Sequence, residues 1–339
     1  MPMFIQTNVA SSVAQNSLAR TQSMLAQNFT KLSSGFRING AADDAAGLGI
    51  AKSFESQVRS YAVAERNAND GISMAQTADG VSEQVVGRAL AARRGDVHIA
   101  TKVGWWRKEG LGAERIKASL DESLARLGTD YVDLYYFHVP DTKTPIEASV
   151  AAVGEVIASG KAKAFGLSNY ASWQALEVIS ACDRLGVPRP VASQQLYNLL
   201  IRQLDLEYLR FAAKYQLHTT VYNPLAGGLL TPRGIVDPKS GARFERNTMY
   251  QRRYLSDTFL EAARAYAGIA AALPDGIVSL AYAWLAQRQG VDSIIVGPGS
   301  VPHLEAALVA VEVVLDEALL KEVDAIHYTL AGTDVSYAR

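Results

Sequence analysis

AERIKASLDESLARLG (113–128), followed at once by YVDLYYFH (131–138), decides the fold. The first stretch carries acidic residues early and a glycine at its end, the polarity expected of a helix. The second is a short β-rich run. Working outward, VHIAT (97–101) precedes this pair, and AKAFGLSN (162–169), VASQQLY (191–197), HTTVYNPL (218–225) and DSIIVGPG (292–299) follow it. Helical patterns such as TPIEASVAAVGEVIASG (144–160) lie between them. Strands alternating with helices of this length imply βαβ units and a parallel sheet. Six strand–helix units are recognisable, whereas a closed (β/α)8 TIM barrel needs eight. The expected class is therefore α/β, an incomplete or patched barrel.

Upstream the pattern changes. Residues 1–75 contain no proline after Pro2 and no tryptophan, and Val9, Val13, Leu18, Leu25, Phe29 and Leu32 recur at helical spacing. Such a stripe needs a partner to cover it. Ser33-Ser34-Gly35 and Asn39-Gly40 break the pattern, and Asp43 and Asp44 cap a second run, Ala45 to Ala51. An all-α segment is thus expected ahead of the barrel.

The 339 residues are 49% hydrophobic and 20% charged, with a formal net charge of −1, an ordinary globular composition that points to no nucleic-acid partner. The single cysteine, Cys182, excludes an internal disulfide. No run approaches the roughly 18 apolar residues that a membrane helix requires. MPMFIQTNVASSVAQ lacks the charged and apolar regions of a Sec-type signal peptide.

Active sites of (β/α) barrels form at the C-terminal strand ends. Those ends carry Lys102, His138, Ser168-Asn169, Gln194, Tyr222-Asn223 and Gly297-Pro298-Gly299-Ser300. Six successive strands delivering polar groups to one rim point to a site.

ATKVG (100–104), LYYFHVP (134–140), GLSNYASW (166–173), QQLYN (194–198), VYNPLAGGLL (221–230) and IIVGPGS (294–300) resemble the aldo-keto reductases. With GARFERNTMYQRRY (241–254), the chain is most similar to the aflatoxin-aldehyde-reductase branch, over residues 78–330. The resemblance implies NADP(H), bound extended, and hydride transfer to an aldehyde or ketone. It assigns Ser168, Asn169 and Gln194 to the nicotinamide carboxamide and Tyr222 to the nicotinamide ring. Asn223, Leu225 and Gly227 fall in the cofactor loop after that tyrosine. Gly297, Gly299 and Ser300 would meet the 2′-phosphate. Lys102 and His138 match the family's catalytic lysine and histidine.

Its aspartate and tyrosine belong to a segment of form DTAxxYGxSE. Here the sequence reads QTADGVSE (76–83), so Gln76 replaces the aspartate and the tyrosine is missing. Ala306 and Ala307 also stand where the family places polar residues for the adenine, which implies weaker dinucleotide binding.

KLSSGFRINGAADDAAGLGIA (31–51) and RNANDGISMAQTADG (66–80) resemble the N-terminal region of flagellin. The resemblance divides the chain into residues 1–77, flagellin-like helices, and 78–339, the reductase-like barrel. It implies flagellin or the flagellar export machinery as partners of 1–77, besides a small carbonyl substrate for the barrel. A dominant barrel implies a cytoplasmic protein, and a functional flagellin segment a bacterial flagellum. Three readings follow: a reductase lacking its acid, a filament protein displaying a barrel, or a fusion doing neither.

Overall fold

The computed structural model describes residues 81–104, 110–239, 244–245 and 247–331. The helices expected within 1–75, the boundary at 77/78 and the segment Gln76–Gly80 lie outside the described residues.

Six strands form one sheet in consecutive order, each parallel to its neighbours. They are β1 (Ala100–Val103), β2 (Val132–Phe137), β3 (Ala162–Ser168), β4 (Ala192–Leu196), β5 (His218–Tyr222) and β6 (Ser293–Ile294). Helix α1 (Val81–Leu90) precedes β1. Then α2 (Ala113–Leu127), α3 (Ile146–Ala158), α4 (Ser172–Leu185) and α5 (Tyr208–Lys214) alternate with the strands. Between β5 and β6 lie α6 (Pro232–Val236), α7 (Thr248–Tyr254), α8 (Asp257–Ile269) and α9 (Ile277–Ala286), and α10 (Val301–Ala310) and α11 (Glu317–Ala331) close the described chain. The six expected units are present.

Helix α2 buries Ile116, Leu120, Leu124 and Leu127, a 3- and 4-residue spacing that puts one apolar stripe against the sheet. Gly128 ends it with φ +65°, and its N–H reaches the Leu124 carbonyl at 2.9 Å. Gly186 ends α4 in the same way.

The strand register sorts side chains between two faces. Tyr135 points outward, and its hydroxyl donates to the Ile116 carbonyl of α2 at 2.8 Å. Phe137 and Phe165 share that face with ring centroids 5.6 Å apart, both buried. Each large apolar side chain placed there contributes about 1.5–3 kcal/mol. Lys102, Tyr136 and Gly166 lie side by side on the other face, as do Ser168, Gln194 and Thr220.

Two strands differ from the sequence reading in extent. The run VHIAT was expected to pair from residue 97, but the β1 ladder starts at Ala100. The Val97 carbonyl accepts from Arg94 and the Ile99 N–H donates to the Asp133 carboxylate, so side chains take up these backbone groups. The run DSIIVGPG pairs only at Ser293–Ile294. Among the described residues β6 has a neighbour on one side, and Gly297-Pro298-Gly299 leaves the ladder, proline having no N–H to offer it.

Candidate active site

Strand polarity gathers the expected residues on one rim. Lys102 ends β1 and His138 follows β2, while Ser168 closes β3, Gln194 sits in β4 and Tyr222 closes β5. Asn169, which follows β3, ties β2, β4 and β5 to it. Its N–H donates to the Gln194 carbonyl at 3.1 Å, and its Nδ2 donates to the His138 carbonyl and to Ser168 Oγ, both at 3.0 Å. Its Oδ1 accepts from the Tyr222 hydroxyl at 2.6 Å. Asn169 does this with φ +62°, a left-handed conformation that asparagine tolerates better than most residues. The Gln194 side-chain amide has no hydrogen-bond partner among the described residues, although Gln194 is buried.

The charge state of the rim follows from its burial. Burial lowers the pKa of the Lys102 ammonium. No carboxylate among the described residues pairs with it, and its Nζ lies 5.6 Å from the centroid of the Tyr136 ring. Burial, reinforced by the Lys102 charge, pulls His138 down to about 4. His138 is therefore neutral at pH 7 and can orient a carbonyl oxygen without adding a second cation. Tyr222 is pushed up by burial, against a smaller opposing effect of Arg253.

The remaining expected residues are spread along the rim. Asn223, φ +61°, is built into the loop after β5: its carbonyl accepts from Asn198 Nδ2 at 2.9 Å and its Oδ1 from the Tyr250 hydroxyl at 3.3 Å. Leu225 packs against the core beside it. Gly227 has φ +73°, and a Cβ there would stand 2.7 Å from the Tyr250 ring. Gly297 and Gly299 lie exposed after β6. Ser300 is the N-cap of α10, its hydroxyl accepting from the His303 N–H at 3.4 Å.

Sequence reasoning missed the floor of the site. Tyr136 is buried on the inner face of β2, beside Lys102 of β1 and Gly166 of β3. A Cβ on Gly166 would stand 2.6 Å from its ring and 2.8 Å from the Ala192 carbonyl, so only glycine lets the ring lie there. The alternation Tyr136-Phe137-His138 placed Tyr136 on the His138 face, but nothing in it showed the ring lying over Gly166.

The sequence matches the Aldo/keto reductase family over residues 47–327. The chain belongs to that family. Among curated relatives, the aflatoxin B1 aldehyde reductase member 2 of Mus musculus is 35% identical over 253 residues, covering 69% of each chain. The Rattus norvegicus protein of that name is 34% identical over 267 residues, 73% of each. A probable voltage-gated potassium channel subunit beta of Arabidopsis thaliana is 33% identical over 248 residues, 70% of this chain and 76% of its own. An aldo/keto reductase acts as an oxidoreductase on aldehydes or ketones, and the polar rim lies where such a site belongs. The family match starts at residue 47, within the flagellin-like stretch, and none of these relatives is a flagellin.

Proposed function

We propose that the chain binds NADPH along the C-terminal rim of its sheet and reduces small aldehydes or ketones slowly. The convergence of Ser168, Asn169, Gln194 and Tyr222 beside Lys102 and His138 carries this reading. The nicotinamide end fits the rim. The Gln194 amide, which has no hydrogen-bond partner among the described residues, has both a donor and an acceptor for a carboxamide, and Asn169 and Ser168 adjoin it. The phosphate end offers the exposed Gly297–Gly299 backbone and the first N–H groups of α10. The adenine end fits less well, since Ala306 and Ala307 supply no polar side chain. When bound, NADPH supplies the hydride.

The protein's own residues orient the carbonyl and stabilise charge. Neutral His138 can donate one hydrogen bond to the substrate oxygen, and the Lys102 ammonium offsets negative charge developing there. No phenol among the described residues serves as the acid. Burial raises the Tyr136 pKa, which makes its hydroxyl a poorer acid. The proton must then come from water, at a cost of about 100- to 10,000-fold in rate.

Quenching of intrinsic fluorescence by NADPH, with its oxidation by 4-nitrobenzaldehyde followed in the same samples, tests both halves. Binding with slow turnover supports the proposal. Binding with none restricts the rim to cofactor capture, and no binding overturns the reading.

Residues 1–77 carry a separate proposal, resting on KLSSGFRINGAADDAAGLGIA (31–51): docking to flagellin or its export machinery. Co-sedimentation with intact flagellin filaments tests it, and a chain left in the supernatant counts against it.

A further inference from the structure

Lys102 differs in setting from Lys117, Lys161, Lys163 and Lys321. Lys117, Lys161, Lys163 and Lys321 each hold a carboxylate oxygen within 2.8 Å. Lys102 holds none among the described residues. It stands half-buried near the end of β1, with the Tyr136 ring 5.6 Å away and His138 just past the end of the next strand. An ion pair keeps an amine protonated, and an aromatic ring at that distance does so less well. The family's arrangement gives this lysine an aspartate, and here Gln76 replaces it.

We propose that Lys102 condenses with small aldehydes to form an imine, which makes the rim a covalent carbonyl-capture site. Burial also lowers the Lys102 pKa, raising the share of free amine at neutral pH. The amine nitrogen attacks the carbonyl carbon, forming the C–N bond of a carbinolamine. Loss of the carbinolamine oxygen as water, with both nitrogen protons, leaves the C=N bond, and no electrons are transferred. Neutral His138, facing the same rim, accepts and returns the proton during dehydration. The inference takes its substrate class from the reductase reading but needs no cofactor.

The full chain is incubated with 4-nitrobenzaldehyde and cyanoborohydride, without NADPH, and the trapped secondary amines are located by peptide mass spectrometry. The expected result is labelling of Lys102 about tenfold or more faster than the exposed Lys143, the excess a desolvated amine provides. Lys102→Arg removes that fast label and leaves labelling of Lys143 unchanged, with circular dichroism verifying the fold. His138→Gln slows labelling at Lys102 alone. Labelling of Lys102 no faster than that of Lys143 overturns the proposal, even if NADPH oxidation proceeds. Fast labelling without NADPH oxidation supports it while the reductase reading fails.

Discussion

His138 shows how burial sets chemistry at a single residue. Its pKa of about 4 lies below the ordinary value of 6.5, burial being the larger cause and Lys102 the smaller. An unfolded chain binds the proton first, so folding stability contributed by the neutral ring is present above about 6.5 and is lost as the pH falls towards 4. Proton NMR of the imidazole resonances should show one histidine titrating near 4, and His138→Gln should remove that resonance. A His138 signal moving near 6.5 would contradict the buried setting. Gly166 is the second residue-scale case. Gly166→Ala forces a Cβ against the Tyr136 ring and the Ala192 carbonyl, and should cost about 1–3 kcal/mol in urea denaturation. A cost near zero would mean that the ring swings aside.

Between elements, α1 is held by one glycine and one carboxylate. A Cβ on Gly87 would stand 2.0 Å from the Leu127 carbonyl, so α1 meets the end of α2 backbone to backbone. Glu83 accepts from Thr101 Oγ1 and from Arg126 Nε, each at 2.6 Å, linking α1 to β1 and α2. Burial opposes ionisation of Glu83, but the hydrogen bonds from Thr101, Arg126 and Ser123 prevail and its pKa is lowered. Gly87→Leu should detach α1, and limited proteolysis should then cut before β1 sooner than in the parent, with the sheet intact.

The lower ends of β1, β2 and β3 are joined by Asp133, which takes hydrogen bonds from Ile99 N–H, Arg94 and Lys163 at 2.7–2.9 Å. Burial works against that carboxylate, and these partners hold it well below the ordinary carboxylate range. Asp133→Ala takes the carboxylate from Arg94 and the acceptor from the Ile99 N–H, and should lower stability by about 3 kcal/mol. A loss below about 1 kcal/mol would show that water replaces the carboxylate.

For the whole molecule, the question is whether a sheet of six described strands can work as a reductase. The segment that should deliver the acid is shorter than the family's and lacks its aspartate. Replacing Gln76 with aspartate and inserting two residues ending in tyrosine after Asp79 should raise kcat by about 100- to 10,000-fold. An unchanged kcat would mean that the rim fails for another reason than the missing acid.

The local code decided much of this protein. Short β-rich runs and glycine-ended helices gave six βα units in order, because each unit needs only its neighbours to bury its faces. The rim residues were legible as well, since parallel strands with the same connection put all their C-terminal ends together. Tertiary structure alone decided the rest. That Tyr136 lies over Gly166, that Asn169 joins β2, β3, β4 and β5, and that the Lys102 charge helps to lower the pKa of His138 depend on distances across strands far apart in sequence. Spacing along a chain carries no such distances, and burial, which sets the charge of the rim, exists only once the chain has folded.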